Sequence, residues 1–129
     1  MSAVRRKLAL IVEDEPIIAM GLAMQLQEAG FEKVESFGDC SSALSYLNQP
    51  DAKIPDLSIL DVQLRNGETS FDVARYLHDR GGAFFLLSGY GADNALMVHF
   101  PQVRALSKPV NDDALFSLID EIMTASSDP

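Results

Sequence analysis

Four separated stretches of this chain end an apolar run on a side chain able to do chemistry. "LIVEDEP", residues 10–16, closes on Glu13, Asp14 and Glu15 before Pro16; "LSILD" closes on Asp61; "FFLLS" closes on Ser88; "ALSKP" ends in Lys108 and Pro109. Part of the first cluster has a plain structural use, since acids suit the positive end of a helix and proline suits its first position. That use accounts for one acid or two, not for a partner arriving from residue 61. Two carboxylates about 4 Å apart repel by about 4 kcal/mol at an effective dielectric of about 20, so one must take a proton or a cation must sit between them. Oxygen donors with an open side suit Mg2+, which keeps waters and bridges to phosphate. With a hydroxyl at Ser88 and an ammonium at Lys108, the set reads as a site for a phosphoryl group. Asp61 would attack phosphorus, the metal and Lys108 would neutralise the equatorial oxygens, and Ser88 would donate a hydrogen bond to one of them.

These residues can meet only if the elements that carry them end in one place. Apolar runs and helical periods alternate along the chain. Strands are expected at Leu8–Val12, Val34–Phe37, Leu57–Leu60, Ala83–Leu87 and Val103–Ser107. Helices are expected at Pro16–Ala29, Ser41–Leu47, Phe71–Arg80 and Asp112–Ala125, with Gly30 stopping the first and Gly81–Gly82 the third. Such alternation gives a parallel sheet with helices on both faces, an α/β class. The first, third and fourth strands are nearly continuous apolar runs, as strands buried on both faces should be; the second and fifth carry polar residues and suit the edges. The strand order 2-1-3-4-5 follows, a flavodoxin-like (βα)5 doubly wound sheet, and ligands bind where the order reverses between strands 1 and 3. Glu13, Asp14 and Asp61 end those two strands.

The bulk composition agrees with this reading. A length of 129 residues suits one domain, and 47% hydrophobic with 22% charged residues is ordinary for a globular protein. A net charge of −9 opposes non-specific binding to nucleic acid. Arg5, Arg6 and Lys7 form a small basic run that reads as a solvated arm. Only five apolar residues follow it, too few for a signal peptide, and no run spans a membrane, so a cytoplasmic setting is expected. Cys40 is the single cysteine and leaves no internal disulfide. We expect a core over 7–125, flexible ends at 1–6 and 126–129, and no room for an output domain.

The motif set is an acidic pair after strand 1, "LD" at strand 3, a serine at strand 4 and Lys-Pro after strand 5. It resembles the receiver domain of two-component response regulators over nearly the whole chain. The resemblance implies Asp61 as phospho-acceptor, Asp14 and Asp61 as direct ligands of Mg2+, Glu13 acting on it through water, and the main-chain carbonyl of Gln63 completing the site. It further implies Ser88 and Lys108 on the phosphoryl group, a cis Lys108–Pro109 bond, and a sensor histidine kinase or histidine phosphotransfer protein as partner, with an unknown downstream protein. "FLLSGYG" looks like the "FATGY" pattern of stand-alone receivers in alphaproteobacteria, which signal or buffer phosphate through protein contacts. Three features depart from the common pattern: Arg65 stands where many members have proline, Ala105 where many have a rotating Tyr or Phe, and the segment between strands 4 and 5 leaves room for a helix of a turn or two. Without an aromatic at Ala105, we expect residues 89–98, with Tyr90 beside the site, to be mobile and to become ordered on phosphorylation.

Two other classes compete. An aspartate-nucleophile, Mg2+-dependent phosphohydrolase would use similar strand ends, but such enzymes usually show D-x-D and a cap domain, where this chain reads "DVQ". A flavodoxin-like cofactor binder would need a phosphate-cradling loop after strand 1, where "EDEPI" repels phosphate. The receiver reading is preferred: a signalling domain, not an enzyme beyond its own phosphoryl transfer and dephosphorylation.

Overall fold

A strand covered on both faces is mostly apolar, and three segments of that kind lie at the centre of the sheet. The computed structural model describes residues 6–64, 67–89 and 98–126. Among them are β1 (Leu8–Val12), α1 (Pro16–Glu28), β2 (Lys33–Phe37), α2 (Cys40–Leu47), β3 (Leu57–Asp61), α3 (Phe71–Asp79), β4 (Phe84–Ser88), β5 (Ala105–Ser107) and α4 (Asp112–Ser126). The strands are all parallel and run in the order β2-β1-β3-β4-β5, as expected from their polarity. The order puts β3, buried at every residue, in the middle. β2 and β5, at the edges, have no fully buried residue.

Alternate residues of each central strand feed two separate layers. Leu10, Val12, Leu60, Val62, Phe84 and Leu86 face α2 and α3 through Ala43, Leu47, Val73, Ala74 and Leu77. Ala9, Ile11, Leu57, Ile59, Phe85 and Leu87 face α1 and α4 through Leu22, Leu26, Leu115, Leu118 and Ile119. Because the side-chain period is two, a slip of one residue would exchange the layers, so both covered faces pin the register. Ser58 falls among the apolar residues of β3; it is fully buried and its hydroxyl has no hydrogen-bond partner among the described residues.

The helix ends explain the connections. Gly30 (φ 106°) closes α1: its N–H bonds Gln27 O at 3.0 Å and the N–H of Phe31 bonds Leu26 O at 3.1 Å. Gly81 (φ 74°) repeats the arrangement after α3, with Gly81 N–H on His78 O and Gly82 N–H on Leu77 O. Left-handed backbone at this position costs glycine little, which is why both helices stop there. Asp39 caps α2 by accepting the Ser42 N–H at 2.7 Å, and Asn111 caps α4 by accepting the Ala114 N–H at 3.0 Å.

Some boundaries differ from expectation. The last strand starts at Ala105 and not at Val103, because the Val103 N–H turns back to Phe100 O and the ladder begins where Leu86 N–H meets Arg104 O. Arg6 is half-buried and held in place: its guanidinium donates to Ala29 O at 2.7 Å and to Asp120 Oδ1 at 3.0 Å, tying the chain before β1 to the end of α1 and the middle of α4. Arg65 and most of the segment 89–98, Tyr90 included, lie outside the described residues.

Candidate phosphoryl site

The parallel order brings the ends of β1, β3, β4 and β5 to one edge of the sheet. Glu13 follows β1 directly; its N–H is held by Phe37 O of β2 at 3.0 Å, and its Oε2 accepts the N–H of Glu15 at 3.0 Å. Glu15 occupies the cap position of α1 without a side-chain cap bond. Glu15 therefore does not cap the helix with its side chain. Glu13 is 2% exposed and Asp61, closing β3, is 3% exposed, while Asp14 is half-buried. One carboxylate oxygen from each of the three lies within 4.8 Å of the others.

Lys108 reaches into this cluster from the end of β5. Its Nζ donates to Asp61 Oδ2 at 2.8 Å and stands 2.8 Å from Glu13 Oε1, an ion-pair contact and the nearest partner of that otherwise unbonded oxygen. Burial pushes the Glu13 carboxyl above its ordinary value, and Asp61 adds to the rise; Lys108 and the Glu15 N–H oppose without cancelling it. For Lys108, burial alone would depress the ammonium, but the bonds to Asp61 and Glu13 outweigh it and the net is upward. Three carboxylates against one ammonium leave a formal excess of two negative charges. Oxygen-only donors with that excess fit a divalent cation of the Mg2+ type.

The other expected residues border this core. The Ser88 carbonyl accepts the N–H of Lys108 at 2.9 Å, so β4 and β5 deliver them side by side, and the Ser88 hydroxyl donates to Gly89 O at 3.4 Å. The N–H of Gln63 donates to Asp61 Oδ1 at 3.3 Å. The Lys108–Pro109 bond is cis. Two features escaped the sequence. Glu13 and Lys108, read separately, are paired with each other. Ser70 is buried and its hydroxyl donates to the Asp61 carbonyl; in "ETSFD" it is indistinguishable from a helix cap.

The family pattern of the response regulator receiver domain matches residues 9–120, and the chain belongs to that family, a signalling domain that takes phosphate from histidine kinases or phosphotransfer proteins. Among solved structures, SdrG from Sphingomonas melonis Fr1 is 33% identical with a TM-score of 0.76, covering 95% of this chain and 99% of that one. The response regulator PhyR from Brucella abortus is 25% identical with a TM-score of 0.78, over 95% of this chain but 50% of that one. The PhyR receiver domain of Erythrobacter litoralis superposes with a TM-score of 0.80 over 99% of this chain and 98% of that one; at 19% identity it bears on the fold alone. A comparison with curated proteins gave no match. Among the described residues no helix is long and apolar enough to cross a membrane.

Proposed function

We propose that this protein is a phospho-accepting receiver in which Asp61 takes a phosphoryl group from a histidine kinase or phosphotransfer protein. The observation that carries the reading is the placement of Lys108 Nζ between two buried carboxylates, 2.8 Å from each, with Asp14 beside them. An Asp61 carboxylate oxygen attacks phosphorus as the bond to the donor breaks, and the leaving group departs with the electron pair. Lys108 turns from Glu13 to a phosphoryl oxygen, and the Ser88 hydroxyl donates to another. Mg2+, held by Asp14, Asp61 and the Gln63 carbonyl with Glu13 acting through water, would supply the positive charge that the three phosphoryl oxygens require. The resulting phosphoprotein signals or stores phosphate through protein contacts in the cytoplasm.

Acetyl phosphate with and without Mg2+ tests this. The wild type should gain the mass of one phosphoryl group only with the metal, and Asp61→Asn should gain none while keeping its circular dichroism. Labelling of Asp61→Asn at the wild-type level, or none of the wild type, would reject the assignment.

A further inference from the structure

Ser70 stands where a helix cap belongs and does not act as one. It immediately precedes α3, and its carbonyl accepts the Ala74 N–H at 2.9 Å, but its hydroxyl makes no bond to the helix. A serine here ordinarily accepts from the second or third helical N–H. Ser70 Oγ instead donates to the main-chain carbonyl of Asp61, nine residues upstream, in a fully buried position.

Each oxygen of Asp61 then has a donor. Oδ1 has the N–H of Gln63 at 3.3 Å, Oδ2 has Lys108 at 2.8 Å, and the carbonyl has Ser70. The first two act on the carboxylate itself and must be loosened or shared when phosphorus bonds to it. The Ser70 bond acts on the main chain and can persist through the transfer. On the other side of the same peptide, the Val62 N–H is held by Leu87 O at 2.9 Å. We infer that Ser70 is a positioning residue for phosphoryl transfer, fixing the Asp61 peptide so that its carboxylate meets the donor in line. The inference rests on Asp61 as acceptor. Small misplacements of a reacting group cost rate steeply, on the order of a hundredfold for about 1 Å. Loss of one anchor among several should cost less.

The test follows phosphorylation of the full chain by acetyl phosphate in Mg2+, with donor concentration varied and intact mass as readout. An Asp61 Oδ–P bond forms as the P–O bond of acetyl phosphate breaks, and acetate leaves with the electron pair; no proton or electron is needed from elsewhere. Ser70→Ala should lower the limiting rate constant about tenfold, part of the roughly hundredfold cost of misplacing the acceptor by about 1 Å, with the half-saturating donor concentration unchanged. Ser70→Thr, which keeps the hydroxyl, should restore the rate to within about twofold of wild type. A purely structural role would lower the melting temperature and leave the limiting rate of the folded protein alone. An unchanged limiting rate in folded Ser70→Ala, or Ser70→Thr as slow as Ser70→Ala, overturns the inference. If Ser70→Ala does not fold, Ser70→Cys decides, being close in size with a weak donor: a slowed transfer supports the inference and a wild-type rate overturns it. Failure of the wild type itself to take phosphate would instead remove the reading of Asp61.

Discussion

Replacing Lys108 with methionine keeps the length and apolar stem of the side chain and removes its charge. In the intact site Nζ lies 2.8 Å from an oxygen of Glu13 and of Asp61. Each attraction is on the order of 6 kcal/mol at an effective dielectric of about 20, before the cost of desolvating the partners. Without the ammonium, two buried carboxylates remain within 4.8 Å, repelling by roughly 3 kcal/mol or more. That repulsion need not be borne, because one carboxyl can keep a proton instead. From the ordinary glutamate value of 4.5, holding a proton at pH 7 costs about 3.4 kcal/mol, at about 1.36 kcal/mol per pH unit. This bounds the part of the loss that grows with pH; the carboxylate that stays charged also loses its buried counter-ion, which adds to the deficit at every pH. The sign follows from the direction: an acid whose folded pKa is raised contributes stability below its unfolded value and loses it as pH rises. The pH-dependent part of the Lys108→Met deficit should therefore reach up to about 0.7 kcal/mol at pH 5 and up to about 3.4 kcal/mol at pH 7, a slope of one proton. Burial already raises the Glu13 carboxyl in the wild type, so the pH-dependent part of the measured difference falls somewhat below this bound. Urea unfolding in chelator at pH 5, 6 and 7 measures it. Equal stability of variant and wild type at pH 7, or a deficit that does not grow with pH, would refute the electrostatic account of Lys108. Adding Mg2+ should recover more stability in Lys108→Met than in the wild type.

Asp14→Asn removes one of three clustered carboxylates, so the metal-free protein should gain from a few tenths to about 1 kcal/mol while phosphorylation is impaired. Its melting temperature should lose the Mg2+ dependence expected of the wild type; a retained dependence would place the metal elsewhere. Ser58→Ala deletes a buried hydroxyl that has no partner among the described residues and should stabilise the protein by about 1 kcal/mol in urea unfolding. A loss of stability would mean that the hydroxyl is satisfied by water or by repacking.

The sheet was legible because its energetics are written in two-residue alternation and in runs. "LALIV", "LSIL" and "AFFLL" suit central strands, and Glu35 in "VESF" suits an edge; Lys33, which the structure adds to that strand, lay before its expected start. Boundaries were less legible because they depend on which backbone donors find partners. α2 starts at Cys40 and not at Ser41, because Asp39 is the residue that accepts the Ser42 N–H. In the site, the strand-end residues were legible from position alone, since parallel strands deliver their carboxyl ends to one edge. What those side chains bond to was not. Glu13 and Lys108 are 95 residues apart in sequence, and no local pattern says that one neutralises the other. A serine before a helix can bond forward to the helix or backward to the strand, and "TSF" reads the same in both cases.

The arrangement around Asp61 separates what must stay from what must move. Ser70 belongs to the loop that leaves β3, so it travels with Asp61 and holds its main chain wherever β3 places it. Lys108 comes from another strand on a four-carbon stem, and it is shared with Glu13. An ammonium held by two carboxylates can give up one without being stripped of partners, so its transfer to a phosphoryl oxygen costs less than removal from a single buried counter-ion. Glu13 is then left with less positive charge beside it, and its burial already favours the protonated form. If Asp61 is the acceptor as proposed, the charge of an arriving phosphoryl group would in this way be passed from Asp61 through Lys108 to the end of β1. There the next residues, Asp14 and Glu15, lead directly into α1 and its outward-facing Ile17, Met20 and Met24. Under the proposed function, charge rearrangement at the end of β1 would carry a change at the acceptor toward that exposed face of α1, a route that asks nothing of the small side chain at Ala105.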